Sequence, residues 1–282
     1  MRHAYLLGHH IAHSLSPAMH NAGFQALGLD IEYGLLDVDI DGLAVAFARV
    51  RQPDCVGVNV TMPYKPDAAT EADERSPEVN RCGVANLLLN RNGRLAARNV
   101  DIDGIVACLE RRHPTIASGP AVVLGSGGVA AAALAALRRV PPKWLIVCAR
   151  NLEAAVELIK RIGIPGDIQP LTDASELVRQ AALVVNATPL GMKPDDPLPV
   201  PEEALRPGLL LYDLVYTRSG STPLQAAALE AGALVCDGLT HVYEQAIPSF
   251  RLFTGQEPPA GVLRRGLVSA LRGREPLDWG SD

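Results

Sequence analysis

The chain is poor in aromatic residues. Phe, Trp and Tyr make up 4% of 282 residues, too few for the stacking platforms that read single-stranded nucleic acids. A basic excess is also missing. Lys and Arg number 26 against 31 Asp and Glu, a net charge of −5, so no surplus of cations is available for a phosphate backbone and no nucleic-acid partner is expected. Cysteine is sparse and scattered. Cys55, Cys82, Cys108, Cys148 and Cys236 form no C-x-x-C pair. That pattern suits neither a zinc site nor a disulfide framework, and it fits reduced thiols used as small core residues. The opening residues MRHAYLLGHHIAHS lack the apolar stretch of about 7–15 residues of a signal peptide, so a cytoplasmic location is expected.

One uncharged stretch, Pro114 to Leu137, is long enough to span a bilayer. Its first half is broken by Gly and Pro and its second half is mostly Ala, so a short strand, a glycine turn and a buried helix are expected instead of a membrane span. Four histidines near the start, His9, His10, His13 and His20, have no carboxylate at ligand spacing, and no metal is expected there.

Hydrophobic residues are 48% of the chain and charged residues 20%, which suits a sizeable core and excludes a disordered chain. At roughly 150 residues per domain the length suggests two domains. The first hundred residues mix strands (4–9, 31–39, 55–61) with helices (16–29, 43–51). Ser16 is a candidate N-cap with Pro17 at the first helical position, and 85–101 reads as a hairpin turning at Arg91-Asn92-Gly93. From about 103 the alternation becomes regular. Strands are expected at 121–126, 144–150, 182–189, 208–216 and 233–238, with helices at 103–112, 129–139, 151–162, 221–232, 241–255 and 263–272. Strands alternating with helices of about a dozen residues imply βαβ units and a parallel sheet. The polar tail 274–282 is expected to fray.

Several patterns carry chemistry. Gly125-Ser126-Gly127-Gly128-Val129-Ala130 fits G-x-G-x-x-G/A between a strand and a helix. There the glycines allow a tight turn and the helix N-terminus offers N–H groups to a pyrophosphate; a merely tight turn is the plainer reading. Arg150 ends the next strand, where NAD-binding chains place an acid. Its guanidinium suits a 2′-phosphate, although a solvated surface arginine is the alternative. Lys65 follows the strand Asn59-Val60-Thr61 in a rigid loop, and Asp101 closes the hairpin region. If the two meet, the carboxylate positions the ammonium and the lysine can shuttle a proton. Ser14 and Ser16 ahead of a helix offer two hydroxyls to a carboxylate, or serve as a simple cap.

Taken together, these residues resemble the shikimate dehydrogenase family over essentially the whole chain. The match includes S-x-S-P-x-x-H-N at Ser14–Asn21, N-V-T-x-P-x-K at Asn59–Lys65, Gly83–Leu87, Asn99–Gly104, the glycine loop, Asn186–Met192, Asp213-x-x-Tyr216 and Gly238 with Gln245-Ala246. The resemblance implies a two-domain α/β fold. A mixed-sheet substrate domain would comprise 1–102 with 240–282, and a Rossmann-type domain 103–239. It implies reversible NADP-dependent reduction of 3-dehydroshikimate to shikimate, the protein supplying placement and proton management for the cofactor's hydride. Lys65 would be the proton donor and acceptor, paired with Asp101. Ser14, Ser16 and Tyr216 would seat the substrate carboxylate, and Thr61, Asn86, Asp101 and Gln245 the ring hydroxyls. NADP would meet Gly125, Ser126, Gly127, Gly128, Val129, Ala130, Arg150, Thr188, Met192, Leu214 and Gly238. A monomer or homodimer is expected.

Some positions depart from the family pattern. Leu87 and Val100 replace threonines, Ile102 a glycine, His241 a methionine, and Ala154 the second arginine of the cofactor clamp. A relative acting on quinate or another hydroxylated cyclohexene carboxylate is the neighbouring possibility. A nucleotide-sensing regulator on the same scaffold is the possibility from another class; the presence of both Lys65 and Asp101 weighs against it.

Overall fold

The structure, a computed structural model, describes residues 1–111, 116–117, 119–193, 195–217 and 220–272. The polar tail expected to fray lies outside the described residues. Two compact units emerge, 1–104 with 242–272 and 105–241, so the chain crosses between them once near each end of the second unit.

The first unit carries β1 (Arg2–Gly8), β2 (Ile31–Asp37), β3 (Cys55–Val60), β4 (Glu74–Arg75), β5 (Leu87–Arg91) and β6 (Arg94–Arg98). They form one mixed sheet in the order β2-β1-β3-β5-β6-β4. β1 runs parallel to β2 and β3, while β5 is antiparallel to β3 and β6. The β5–β6 turn is Asn92-Gly93, both at positive φ (56° and 86°), as a two-residue turn of matching twist requires. Asn90 Oδ1 accepts the Gly93 N–H at 2.7 Å and fixes it. Helices α1 (Ser16–Ala26), α2 (Leu43–Val50), α3 (Lys65–Glu71) and α4 (Pro77–Cys82) connect these strands. In α2, Leu43, Ala46, Phe47 and Val50 are buried, the i, i+3, i+4, i+7 stripe of a helix laid on a core.

Two local expectations are corrected. Ser16 is not the cap of α1. Leu15 occupies the N-cap without a side-chain bond, because the helix already begins at Ser16, which is buried (7% exposed). Ser14 takes over in part, its Oγ accepting the Ser16 N–H at 3.2 Å. Lys65 does not sit in a loop. It opens α3 with Pro66 in the first turn, a placement in which the missing proline N–H costs no helix bond.

The second unit contains β7 (Pro120–Leu124), β8 (Trp144–Ala149), β9 (Asp167–Pro170), β10 (Leu183–Asn186), β11 (Leu210–Asp213) and β12 (Leu234–Cys236). All pairs are parallel, in the order β12-β11-β10-β7-β8-β9. This is a doubly wound sheet whose strand order reverses between β7 and β10, the place where such sheets bind ligands at the strands' carboxyl ends. Its strands are apolar on both faces, with Val122, Val123, Val184 and Val185 at 0% exposure, as a sheet covered on both sides demands. β11 ends at Asp213, so Tyr216 follows the strand instead of ending it.

Further helices are α5 (Val100–Arg111), α6 (Gly128–Arg139), α7 (Leu152–Ile162), α8 (Ala174–Gln180), α9 (Pro223–Glu230), α10 (Gly238–Thr254) and α11 (Val262–Ala270). The two crossings between units fall inside α5 and α10. No described helix is long and apolar enough to cross a membrane.

Candidate active site

In the first unit, the residues singled out by sequence gather at one end of β3. Past Val60 the Thr61 carbonyl accepts the Tyr64 N–H at 3.0 Å, and the Lys65 carbonyl accepts the Ala85 N–H at 2.9 Å. The start of α3 is thereby pinned beside Asn86. The Asn86 side chain in turn accepts the Val100 N–H at 2.7 Å and so supplies a donor-matching cap to α5. Asp101, in the first turn of α5, meets Lys65: Nζ to Oδ2 is 2.7 Å, with the side chains 14% and 10% exposed. Two residues 36 positions apart therefore form a charge-assisted hydrogen bond with little water around it.

Gln245 joins from α10. Gly104, one helical turn after Asp101, packs on its backbone; a β-carbon at 104 would stand 2.9 Å from the Gln245 nitrogen. Beneath these residues lies a polar cluster that sequence reasoning missed. The Tyr33 hydroxyl donates to Asn59 Oδ1 at 2.9 Å, and Asn59 Nδ2 donates to Ser249 Oγ at 2.9 Å and to the Asn86 carbonyl at 3.3 Å. Ser249 Oγ donates to the Gln245 carbonyl at 3.0 Å. Burial raises the Tyr33 phenol well above its ordinary range, and the neighbouring Ser16 hydroxyl opposes that shift.

His20 lies flat against Tyr33, with ring centroids 4.5 Å apart and planes 7° from parallel. It is also ringed by Phe24, Phe250 and Phe253. Neither of its ring nitrogens has a hydrogen-bond partner, and burial pushes its pKa down to about 3. It is a core residue. Among the described residues no group of three His, Cys, Asp or Glu side chains could hold a metal.

In the second unit, the glycine loop links β7 to α6. Gly125 has φ +110° and its missing β-carbon would lie 3.0 Å from the Ala187 carbonyl, so only glycine fits. Gly127 has open space where a β-carbon would be, and α6 starts with neither a side-chain cap nor an acid in its first turn. Open approach, uncapped N–H groups and a positive dipole end are what a pyrophosphate needs, so the loop fits a dinucleotide. Arg150 is exposed at the end of β8. Asn151 caps α7 next to it by accepting the Ala154 N–H at 3.0 Å.

The other cofactor candidates are arranged around a buried carboxylate. Asp213, at the end of β11, accepts from Asn186 Nδ2 (2.9 Å), Thr222 Oγ1 (2.7 Å), Gln225 Nε2 (3.0 Å) and the Val215 N–H (3.2 Å). Its pKa is raised because burial outweighs these four donors. Asn186 Oδ1 accepts from both N–H and hydroxyl of Thr188. One carboxylate thus braces the loops that carry Thr188 and Met192 and, after β11, Leu214 and Tyr216. Gly238 closes against the latter loop, where a β-carbon would meet the Val215 carbonyl at 2.6 Å. Thr222 and Gln225 had no motif to announce them.

Of the departures from the family pattern, Leu87, Val100 and Ile102 are at most 1% exposed and belong to the core. His241 Nδ1 lies 3.0 Å from the Tyr212 hydroxyl.

A family model described as the shikimate dehydrogenase substrate binding domain matches residues 6–88. A shikimate dehydrogenase (NADP(+)) of Rubrobacter xylanophilus is 36% identical over 266 residues, spanning 93% of this chain and 94% of the relative. A crystal structure of shikimate 5-dehydrogenase from Thermus thermophilus, in complex with NADP(H) and shikimate, superposes with a TM-score of 0.84 at 35% identity over 96% of this chain and all of that one. A quinate dehydrogenase from Corynebacterium glutamicum in complex with NAD gives a TM-score of 0.85 at 26% identity, over 95% and 99%.

Proposed function

This chain belongs to the shikimate dehydrogenase family, and from that premise we propose that it catalyses the reversible NADP-dependent reduction of 3-dehydroshikimate to shikimate. The observation that carries the reading is the buried Lys65–Asp101 pair, 2.7 Å apart, in a chain alike over nearly its full length to proteins of that name.

Residues 1–102 with 240–282 form the substrate domain in this reading, and 103–239 the cofactor domain. NADP(H), when bound, supplies or accepts the hydride. Gly125, Ser126, Gly127, Gly128, Val129 and Ala130 hold its pyrophosphate on backbone N–H groups, and Arg150 faces the 2′-phosphate. Thr188, Met192, Leu214 and Gly238 line the remainder.

Lys65 gives a proton from Nζ to the substrate oxygen as the carbonyl is reduced, and takes it back in the reverse direction. Asp101 keeps the ammonium aimed and holds a ring hydroxyl. Ser14 and Ser16 receive the substrate carboxylate. Thr61, Asn86 and Gln245 receive ring hydroxyls. Asn86 offers its amide nitrogen, its oxygen already accepting the Val100 N–H. The protein works in the cytoplasm as a monomer or homodimer.

The test is formation of NADPH when purified protein meets shikimate and NADP+, with quinate and NAD+ as parallel arms. Shikimate-dependent NADPH formation is the expected result. Absence of turnover with shikimate in either cofactor would overturn the reading.

A further inference from the structure

The polar cluster under the substrate residues has a property that separates it from them. Asn59 is 5% exposed, and its bonding capacity is turned inward. Its two amide hydrogens go to Ser249 Oγ and the Asn86 carbonyl, and its oxygen takes the Tyr33 hydroxyl. An amide with both N–H groups engaged has none left for a ligand. The direction of the amide is set by its neighbours, because the Asn86 carbonyl can only accept.

Each arm of Asn59 ends at a residue assigned to the substrate. Through the Asn86 carbonyl it holds the strand end whose side chain caps α5 and so places Asp101. Through Ser249 it holds the Gln245 carbonyl. There α10 is weakened, since Pro248 has no N–H to offer the turn before it. Through Tyr33 it reaches the phenol beside which Ser16 lies, and the flat stack of His20 keeps that ring in place.

We propose that Asn59, with Tyr33 and Ser249, is a positioning hub of the substrate site: it touches no ligand and fixes Ser16, Asn86 and Gln245 relative to one another. The proposal rests on the functional reading above and adds to it three residues with no contact to substrate. Buried polar networks of this kind rigidify a site when fully satisfied and loosen it when one member is lost.

The experiment uses Tyr33→Phe and Ser249→Ala, each removing one hydroxyl with little change in shape, and the double variant. For each, shikimate KM, kcat, NADP+ KM and Tm are measured, with calorimetric titration of shikimate. A neutral hydrogen bond contributes about 0.5–1.5 kcal/mol, so loss of one arm raises shikimate KM and Kd by about 2- to 12-fold. NADP+ KM should stay within about twofold, and the double variant should lose less than the product of the two, since both act through Asn59. A fall in Tm with shikimate KM unchanged in both variants overturns the hub and leaves plain structural residues. Wild-type protein that neither binds nor turns over shikimate overturns the functional reading and the hub with it, whereas active wild type with indifferent variants overturns the hub alone.

Discussion

Gly104 rests on the backbone of Gln245, closely enough that a β-carbon would stand 2.9 Å from its nitrogen. Asp101 is three residues earlier in the same helix and therefore on the same face, so this contact sets the distance between the carboxylate proposed to aim Lys65 and a residue proposed for a ring hydroxyl. Gly104→Ala inserts a methyl group where backbone, not a flexible side chain, must yield. Overpacking of that kind costs about 1–3 kcal/mol. Urea denaturation should register that loss, and shikimate KM should rise while NADP+ KM does not. An unchanged midpoint with unchanged kinetics would show that α10 simply moves aside.

Lys65→Ala should lower kcat by about 10²–10⁴-fold, the usual contribution of a general acid–base group, with a smaller change in KM. Asp101→Asn should be nearly as damaging, because it removes the charge 2.7 Å from Nζ. The double variant should be little worse than the poorer single one if the two act as a unit. Steady-state kinetics in both directions checks this; a loss below about tenfold in Lys65→Ala would contradict the assignment.

Arg150 is the guanidinium proposed for a 2′-phosphate, and Ala154 stands where the family pattern has a second arginine. A charge-assisted hydrogen bond contributes about 1.5–3 kcal/mol. NADP+ should therefore be favoured over NAD+ by about 10- to 100-fold in kcat/KM, and Arg150→Ala should erase most of that margin. Equal use of both cofactors, unaffected by the substitution, would remove Arg150 from the site.

His20 makes stability depend on acid. Its pKa is about 3 in the folded protein and about 6.5 in the unfolded chain. Between those values the unfolded state binds a proton that the folded state does not, so stability falls as pH drops, by about 1.4 kcal/mol per unit once well below 6.5. Chemical denaturation at pH 7 and pH 5 should show a larger loss for the wild type than for His20→Phe, which keeps an aromatic ring among its neighbours. Parallel losses in the two proteins would mean that His20 becomes protonated without unfolding.

Much of this was legible in the residues themselves. Asn92-Gly93 announced its hairpin through the backbone it requires, and Gly125 to Ala130 announced a glycine turn between strand and helix. Lys65 and Asp101 were visible as candidates, but only folding brings them to 2.7 Å. β9 and α8 went unread because Asp167–Pro170 is short and half-exposed and Ala174–Gln180 spans barely two turns. α10 begins at Gly238, ahead of the expected 241, because Asp237 caps it, its Oδ1 accepting the Thr240 N–H at 2.9 Å. Tyr33, Ser249 and Gln225 left no signal. A single polar residue in an apolar run reads alike whether it faces water or a buried partner, and only the partner makes it specific.

The five free thiols are all buried, Cys55 and Cys82 in the first unit and Cys108, Cys148 and Cys236 in the second. Burial pushes Cys55 and Cys148 up to about 11, so at neutral pH these two hold almost no thiolate to react. The molecule thereby carries an internal clock for its own breathing. The rate at which an alkylating reagent consumes Cys55 and Cys148 times the opening of the segments around them, and because one lies in each unit, peptide mapping tells one unit's clock from the other's without any introduced label.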